Sequence, residues 1–217
     1  MNAGTAARTQ PRRLARSALE LAAIVAFAFA LALFLEAFVI KPYRIPSGSM
    51  EPTLNVNQRV IVNRIGMDFG GPHVGEIVVF HPPQGAEQGL CGLRQIATVP
   101  GGAACASSSS HEASVNFVKR VVAGPGDRLF VQAGHVYREA AGTHTFVREA
   151  DSYIKACGAN AECDFPDPIT VPAGHWFMMG DNRGDSEDSR FWGPVPRSWI
   201  VGQVFATYWP LSRVGGL

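Results

Sequence analysis

Asn-Phe-Val-Lys-Arg-Val-Val, residues 116–122, is a short run rich in β-branched and aromatic residues, and that composition is typical of a buried β-strand. Lys119 lies in its middle and is one of only three lysines, beside sixteen arginines. An arginine keeps its proton at any ordinary pH, whereas burial among apolar side chains can lower the pKa of a lysine until it acts as a base. The alternative is a lysine that carries its ammonium group to water.

A base needs a proton donor, and the best candidate lies seventy residues upstream in the segment Ile45–Leu54, which reads Ile-Pro-Ser-Gly-Ser-Met-Glu-Pro-Thr-Leu. Its prolines prevent a continuous helix, and Ser49 follows a glycine. A serine hydroxyl attacks a peptide carbonyl only when a base removes its proton, and the usual base is histidine. The six histidines are scattered singly, without a recognisable triad context, which leaves Ser49 and Lys119 as the candidate pair.

The amino-terminal segment predicts a membrane anchor. Leu21–Leu35 carries no charge, and the apolar stretch runs on through Glu36 to Ile40, twenty residues in all, about what a bilayer core requires. We expect a cytoplasmic basic amino terminus at residues 1–18, an anchor at 19–40 and an extracytoplasmic body at 41–217, because four arginines precede the span: Arg8, Arg12, Arg13 and Arg16. A cleavable secretory signal is the competing interpretation. Both interpretations export the body of the chain.

Export makes the four cysteines interpretable as disulfides. Two local pairs, Cys91–Cys105 and Cys157–Cys163, are the simplest arrangement, although four cysteines permit three connectivities. A zinc site is disfavoured, because there is no Cys-x-x-Cys spacing and no histidine lies beside either pair.

The body of the chain is predicted to be mostly β and antiparallel, because short apolar runs alternate with Gly, Pro and Asp. The predicted strands are Arg59–Val62, Glu76–Phe80, Val118–Ala123, Arg128–Gln132, His135–Arg138, Thr145–Arg148, His175–Met179 and Ile200–Tyr208. Residues 83–114, rich in Gly, Ala and Ser, are predicted to be a surface insertion, and residues about 130–172 a small β extension. A formal charge of +1 gives no indication of a nucleic-acid partner.

Four blocks of sequence resemble the bacterial type I signal peptidases, the membrane-bound leader peptidases, in that family's order after a membrane anchor. They are Lys41–Leu54, Gly75–Phe80, Val118–Arg128 and Gly180–Gly193. The resemblance implies a signal-peptidase-like antiparallel β-sheet or barrel body, and a membrane-bound serine endopeptidase that removes signal peptides from exported preproteins after small residues of the Ala-x-Ala type.

The resemblance also implies a role for each site residue. Ser49 is expected to be the nucleophile and Lys119 the general base. Ser47, together with the Ser49 backbone N–H, is expected to form the oxyanion hole. Ser186 is expected to hydrogen-bond the lysine amine, although by its local sequence it is equally an ordinary turn residue. An ion-pair cluster is expected to support the site, formed by Asp188, Arg190 and Arg120.

Substrate recognition by this family requires two shallow apolar pockets on one side of an extended peptide. The residues that resemble the family's pocket positions are Ile45, Met50, Leu54, Val60, Val79, Phe117 and Val118. Val60 and Val79 are as readily interpreted as plain core. Neither metal nor cofactor is expected. The expected partners are preprotein signal peptides and membrane lipid, with no nucleic acid, and the protein is expected to be a monomer in the cell membrane that crosses it once.

Two competing functions differ in what they require of the sequence. A Ser/Lys self-cleaving repressor shares the dyad but carries a DNA-reading helical domain, where this chain has an apolar span. An exported β-domain that merely binds peptides would have a disrupted dyad, and both Ser49 and Lys119 are present.

Overall fold

The structure is a computed structural model that describes residues 10–65, 71–91, 94–95, 104–157 and 163–217. Arg8, the insertion residues 92–93 and 96–103, and the Cys157–Cys163 loop residues 158–162 lie outside the described residues. The chain divides into two compact units, Met1–Ile40 and Lys41–Leu217.

The first unit contains one long helix, α1, at Gln10–Phe38. Its segment Ser17–Phe34 has a mean hydropathy of 2.3, and its side chains are exposed. A helix of this length and composition can cross a membrane, and an amino-terminal signal sequence satisfies the same criterion.

The second unit is built from β-strands and one short helix, α2, at Ser189–Trp192. Three of its strands, Ile77–Phe80, Phe117–Ala123 and His175–Met179, are well buried, and their sequences are rich in Val, Ile, Phe and Met. The described strands are β1 Ile40–Arg44, β2 Arg59–Asn63, β3 Ile77–Phe80, β4 Leu90–Cys91, β5 Arg94–Gln95, β6 Phe117–Ala123, β7 Arg128–Gln132, β8 His135–Glu139, β9 Val147–Arg148, β10 Phe165–Thr170, β11 His175–Met179, β12 Val195–Pro196, β13 Ile200–Trp209 and β14 Gly215–Gly216.

The strands form three sheets. An eight-stranded sheet has the order β1-β2-β13-β3-β6-β11-β12, with β14 beside β13, a four-stranded sheet has the order β10-β7-β8-β9, and β4 pairs with β5. The strand pairs with a described register are antiparallel. The predicted fold class, a mostly β antiparallel body with one amino-terminal apolar helix, is confirmed.

Strand β6 lies between β3 and β11 in the large sheet, and side chains pack against both of its faces. Phe117 and Val121 project to one face, where they join an apolar cluster with Val78 and Phe80. Val118 and Val122, one position on, project to the other face. Because side chains alternate along a strand, Lys119 shares the face of Phe117 and Val121, and it is 4% exposed.

The four-stranded sheet spans Arg128–Thr170, close to the extension expected at 130–172. The ring of Phe130 on β7 stacks on that of Tyr137 on β8, with centroids 4.8 Å apart. Asp127 fixes the turn before this sheet, since its carboxylate accepts from the backbone N–H groups of Gly124 and Ala141. The sheet is thereby joined to the end of β6.

Two disulfides close the local pairs Cys91–Cys105 and Cys157–Cys163. Both contact Arg190 of α2 through the backbone. The Cys105 N–H donates to the Arg190 carbonyl at 2.9 Å, and the Cys163 carbonyl accepts from Nη1 of Arg190 at 3.2 Å. The described part of the insertion is therefore attached to the same residue as the loop that precedes β10.

Candidate active site

Ser49, the predicted nucleophile, lies in a single 3-10 turn at Gly48–Met50. The turn is anchored at its end, because the Met50 side chain is only 1% exposed and the Met50 carbonyl accepts from the Leu54 N–H at 2.9 Å. Ile45, three positions before the turn begins, is also buried, at 2% exposure. The two buried apolar side chains fix the segment on both sides of Ser49, while Ser49 itself remains partly accessible.

Lys119 reaches this turn from β6, and its Nζ lies 2.7 Å from Oγ of Ser49. The lysine is 4% exposed. Burial lowers its pKa to about 8, while the charge of Asp188 opposes that change and the charge of Arg190 adds to it. An amine with such a pKa is neutral in a substantial fraction of molecules near pH 8, and its lone pair can then accept the Ser49 hydroxyl hydrogen across the same contact.

Ser47, the predicted oxyanion-hole residue, stands beside the pair. Its hydroxyl donates to Oγ of Ser49 at 3.3 Å, and the residue is exposed. A hydroxyl rotates freely about its Cβ–Oγ bond, so the same group is free to donate to a substrate oxygen bound next to Ser49.

Ser186 is buried, but its hydrogen bond differs from the predicted one. The Ser186 hydroxyl donates to Oδ2 of Asp188 at 2.8 Å instead of bonding the lysine amine. Asp188 is in turn held by Arg190, whose Nε donates to Oδ1 at 2.8 Å and whose Nη2 donates to Oδ2 at 2.9 Å. Burial acts to raise the pKa of Asp188, but the charge and hydrogen bonds of Arg190 outweigh it and hold this pKa below its usual value.

The expected three-residue ion-pair cluster is wrong in one member. Arg120 pairs with Asp181, not with Asp188, through bonds of 2.9 Å from Nε and 2.7 Å from Nη2. Asp181 is fully buried and also accepts from the Thr53 hydroxyl at 2.5 Å. The reason is alternation along β6: Arg120 projects to the face opposite Lys119, while the Asp188 charge acts on Lys119 itself. Two separate ion pairs therefore lie near the site.

A cleft of about 460 Å³ opens over Ser49 and Lys119, and residues from four segments line it. Four of the seven predicted pocket residues are among them: Ile45, Met50, Phe117 and Val118. The other three are wrong as wall residues. Their side chains are fully buried and pack with Ile45 and Met50 in one apolar cluster beneath the cleft, because Leu54 closes the turn and Val60 and Val79 are inward-facing strand residues.

The large sheet leaves one stretch of β6 half paired beside this cleft. Registered pairs between β6 and β11 run from Ala123 only as far as Arg120, whereas β3 pairs with β6 as far as Phe117. In the part of the chain that the structure describes, Phe117–Lys119 are thus paired on one side only. In that same part, no group of three His, Cys, Asp or Glu side chains is placed to hold a metal ion.

Three residues of this region have no role predicted from the sequence: Gly180, Asp181 and Asn182. A Cβ on Gly180 would lie 2.2 Å from Oγ of Ser186 and 2.4 Å from the Ser49 carbonyl oxygen. Asn182 donates to two carbonyls of the Ser49 turn. The signal that indicates them is their place in the resembling block Gly180–Gly193.

Comparisons with known proteins identify the family of this chain. A family profile described as signal peptidase, peptidase S26, matches residues 18–209. The chain is 34% identical over 197 residues to a probable signal peptidase I-2 of Synechocystis sp., covering 91% of this chain and 76% of that relative. It is 36% identical over 191 residues to a signal peptidase I of Leptolyngbya laminosa, covering 86% and 77%.

A crystal structure of a signal peptidase I from Enterococcus faecalis V583 is 18% identical, with a TM-score of 0.35, and covers 62% of this chain and 97% of its own. The family profile and the two sequence relatives define the class of protein: the chain is a serine endopeptidase. It belongs to the signal peptidase family, peptidase S26. Its amino-terminal apolar helix fits a membrane-anchored member of that family.

Proposed function

We propose that this chain removes amino-terminal signal peptides from exported preproteins by a Ser49/Lys119 dyad mechanism. The observation that carries the proposal is the 2.7 Å contact between Lys119 Nζ and Ser49 Oγ, in surroundings that lower the pKa of the lysine to about 8. A serine and a lysine in contact at random on a surface would not have that lowered pKa, because it is the burial of the amine that disfavours its charge.

The reaction has two stages. In the first, neutral Lys119 accepts the Ser49 proton while Oγ attacks the scissile carbonyl, and the Ser49 N–H with the Ser47 hydroxyl stabilises the oxyanion. The lysine ammonium then gives its proton to the leaving amine as the C–N bond breaks, which leaves the signal peptide as an ester on Ser49. In the second stage Lys119 deprotonates a water molecule, which hydrolyses the ester and returns the enzyme.

The stretch Phe117–Lys119, which is paired on one side only, supports a binding mode in which the substrate peptide pairs with β6. An extended peptide can add to this edge as a further strand, since the backbone groups of β6 are available on that side. Alternate side chains of the peptide then point to the same wall, toward Ile45, Met50 and Val118. These wall residues pack on the close-packed core and cannot move aside without a cost in packing. Small side chains such as alanine are therefore preferred at the two substrate positions that face the wall.

The proposed topology places the amino terminus in the cytoplasm, α1 across the membrane and the body outside. The arginines before the span support this orientation. The disulfides Cys91–Cys105 and Cys157–Cys163 support export, because such bonds persist in oxidising compartments.

The test uses the full chain in detergent with a purified preprotein whose signal ends in Ala-x-Ala. We expect one product whose new amino terminus follows that motif, and no product with Ser49→Ala. Ser198→Ala, at an exposed serine outside the cleft, is the matched control and should cleave normally. A preprotein left intact by the unchanged protein, or cleavage by Ser49→Ala, contradicts the proposal.

A further inference from the structure

One residue donates to the carbonyl groups of both Gly48 and Ser49, and the Gly48 carbonyl also accepts from the Glu51 N–H of its own turn at 3.0 Å. Asn182 donates its backbone N–H to the Ser49 carbonyl at 3.0 Å and its side-chain Nδ2 to the Gly48 carbonyl at 3.1 Å. Two consecutive peptide planes of the Ser49 turn are thus attached to the segment that follows β11. Asn182 is 3% exposed, so these bonds are shielded from competition by water.

The side chain of Asn182 is used in an unusual way for its position. Asn182 precedes the short 3-10 turn Arg183–Asp185, where an asparagine ordinarily caps its own turn by accepting from a nearby backbone N–H. No such cap is formed, and the amide instead reaches a carbonyl 134 positions away in sequence. The local stability that a cap supplies is replaced by a contact to the nucleophile turn.

The residues on both sides of Asn182 are hydrogen-bonded to other segments of the chain. The Asp181 carbonyl accepts from the Lys155 N–H at 2.8 Å, and the Arg183 N–H donates to the Lys155 carbonyl at 3.0 Å. The Asp181 carboxylate accepts two hydrogen bonds from the Arg120 guanidinium of β6. The residues on both sides of Asn182 are therefore fixed to other elements, so its amide presents a fixed donor.

The geometry points to Asn182 as the positioning residue of the oxyanion hole. In a trans peptide the C=O and the following N–H lie in one plane and point in opposite directions, so a Gly48 carbonyl held toward Asn182 directs the Ser49 N–H away from it. That N–H is the backbone donor of the proposed oxyanion hole. Among the described residues, no backbone carbonyl accepts a hydrogen bond from it. The Asn182 amide thus pre-orients a donor that acts only when the oxyanion forms. This inference rests on the proposed function.

The effect is expected in the chemical step and not in substrate binding. A donor aimed at the oxyanion interacts more strongly with the transition state than with the ground-state carbonyl, so its loss lowers kcat with little change in KM. Misdirecting one such donor is expected to lower kcat by about 10- to 100-fold, somewhat less than its full removal. The acid limb of the rate profile should not move in Asn182→Ala, because the groups that set the pKa of Lys119 are unchanged.

The test compares Asn182→Ala and the isosteric Asn182→Asp with the unchanged full chain in detergent. A peptide aldehyde with the sequence of the substrate's signal end serves as the probe, because its adduct with Ser49 places an oxygen in the oxyanion hole. We expect kcat to fall, KM to stay within about twofold, and aldehyde affinity to fall by the same factor as kcat/KM. Asn182→Asp should lose at least as much, because its carboxylate cannot donate to the Gly48 carbonyl. Asn55→Ala, at an exposed asparagine, is the control.

The outcomes separate this inference from the proposed function. If the unchanged chain cleaves and Asn182→Ala has a near-normal kcat, only the positioning role is overturned. The same conclusion follows if Asn182→Ala changes KM alone. Absence of cleavage by the unchanged chain overturns the proposed function first. Should both variants unfold, a crystal structure of the aldehyde adduct of the unchanged chain decides: an adduct oxygen out of reach of the Ser49 N–H contradicts the inference.

Discussion

Ser186 and Asp188 are joined by a hydrogen bond of 2.8 Å, from the serine hydroxyl to the carboxylate oxygen Oδ2. The carboxylate also acts on Lys119: burial is the main cause that lowers the pKa of Lys119, and Asp188 is the strongest of the charges that oppose it. One buried carboxylate therefore orients the serine and limits how far the lysine pKa falls. The two effects are separable by experiment, because only the second changes a pH profile.

Removing that charge with Asp188→Asn should move the acid limb of kcat/KM to lower pH, since burial and Arg190 then lower the pKa of Lys119 unopposed by Asp188. The variant should be assayed at a temperature below the midpoint of its thermal unfolding, because breaking a buried ion pair lowers the free energy of unfolding by about 3–5 kcal/mol. Initial rates from pH 5 to 10 measure the limb, with the exposed Asp167→Asn as control. An acid limb that stays in place or moves to higher pH contradicts the prediction.

Lys119→Arg should abolish cleavage although it keeps the positive charge, because a guanidinium cannot accept the Ser49 proton at any working pH. In the unchanged chain, activity should fall by about tenfold for each pH unit below the lysine pKa, since only the neutral amine is a base. Product sequencing and initial rates provide the measurement. Lys155→Arg, at an exposed lysine, should retain full activity. Substantial turnover by a folded Lys119→Arg protein would remove Lys119 from the mechanism.

The lowered pKa of Lys119 also has a consequence for stability. Its folded-state pKa of about 8 lies below the unfolded value of 10.5, so the unfolded chain binds more protons between these values and the free energy of unfolding rises with pH there. The buried amine should therefore destabilise the fold by about 3 kcal/mol below pH 8, given 1.36 kcal/mol per pKa unit. Lys119→Met should unfold at higher urea concentration at pH 7, with the difference shrinking toward pH 10.5.

The exposed Lys155→Met variant is the control for that experiment and should show no such trend with pH. A Lys119→Met variant whose advantage is the same at pH 7 and pH 10.5 would mean that the lysine is not desolvated in the folded state.

Gly180→Ala should inactivate the enzyme, because the new methyl group would lie 2.2 Å from Oγ of Ser186 and 2.4 Å from the Ser49 carbonyl oxygen. Real contacts of this length do not occur, so the Ser49 backbone must shift, and the 2.7 Å contact between Ser49 and Lys119 changes with it. We expect a loss of about 100-fold or more in kcat/KM, in keeping with the sensitivity of catalysis to displacements near 1 Å. Gly215→Ala is the control, because a Cβ there meets no atom within 4 Å. Normal activity of Gly180→Ala would show that the turn tolerates displacement.

Much of the fold follows from alternation and turn residues alone. The strands at Arg128–Gln132 and His135–Glu139 lie where the pattern predicts them, apart from one residue at the end of β8, because both are half-buried and separated by a Gly turn. Phe165–Thr170 was missed because Pro166 and Pro168 argue against a strand. It is a strand at the edge of its sheet, where a missing N–H is tolerated.

The sequence predicts the reacting groups of the site, but it does not predict the hydrogen bonds and ion pairs that position them. Ser49 and Lys119 are indicated by residue type and setting, and the structure brings them into contact. Which carboxylate pairs with Arg120, and which carbonyls Asn182 holds, depend on strand order and on the path of the turn after β11. Neither leaves a trace in local sequence, because the partners are 61 and 134 positions apart.

The predicted base lies on a central strand and the predicted nucleophile on a single 3-10 turn, and this difference bears on heat inactivation. Strand β6 is hydrogen-bonded to β3 and β11, whereas the Ser49 turn is held to the segment after β11 by the bonds of Asn182. The turn is nevertheless fixed by buried Ile45 and Met50, which pack in one apolar cluster with strand residues. Because regions that share a buried core open together, catalysis and the sheet should be lost at the same temperature on warming.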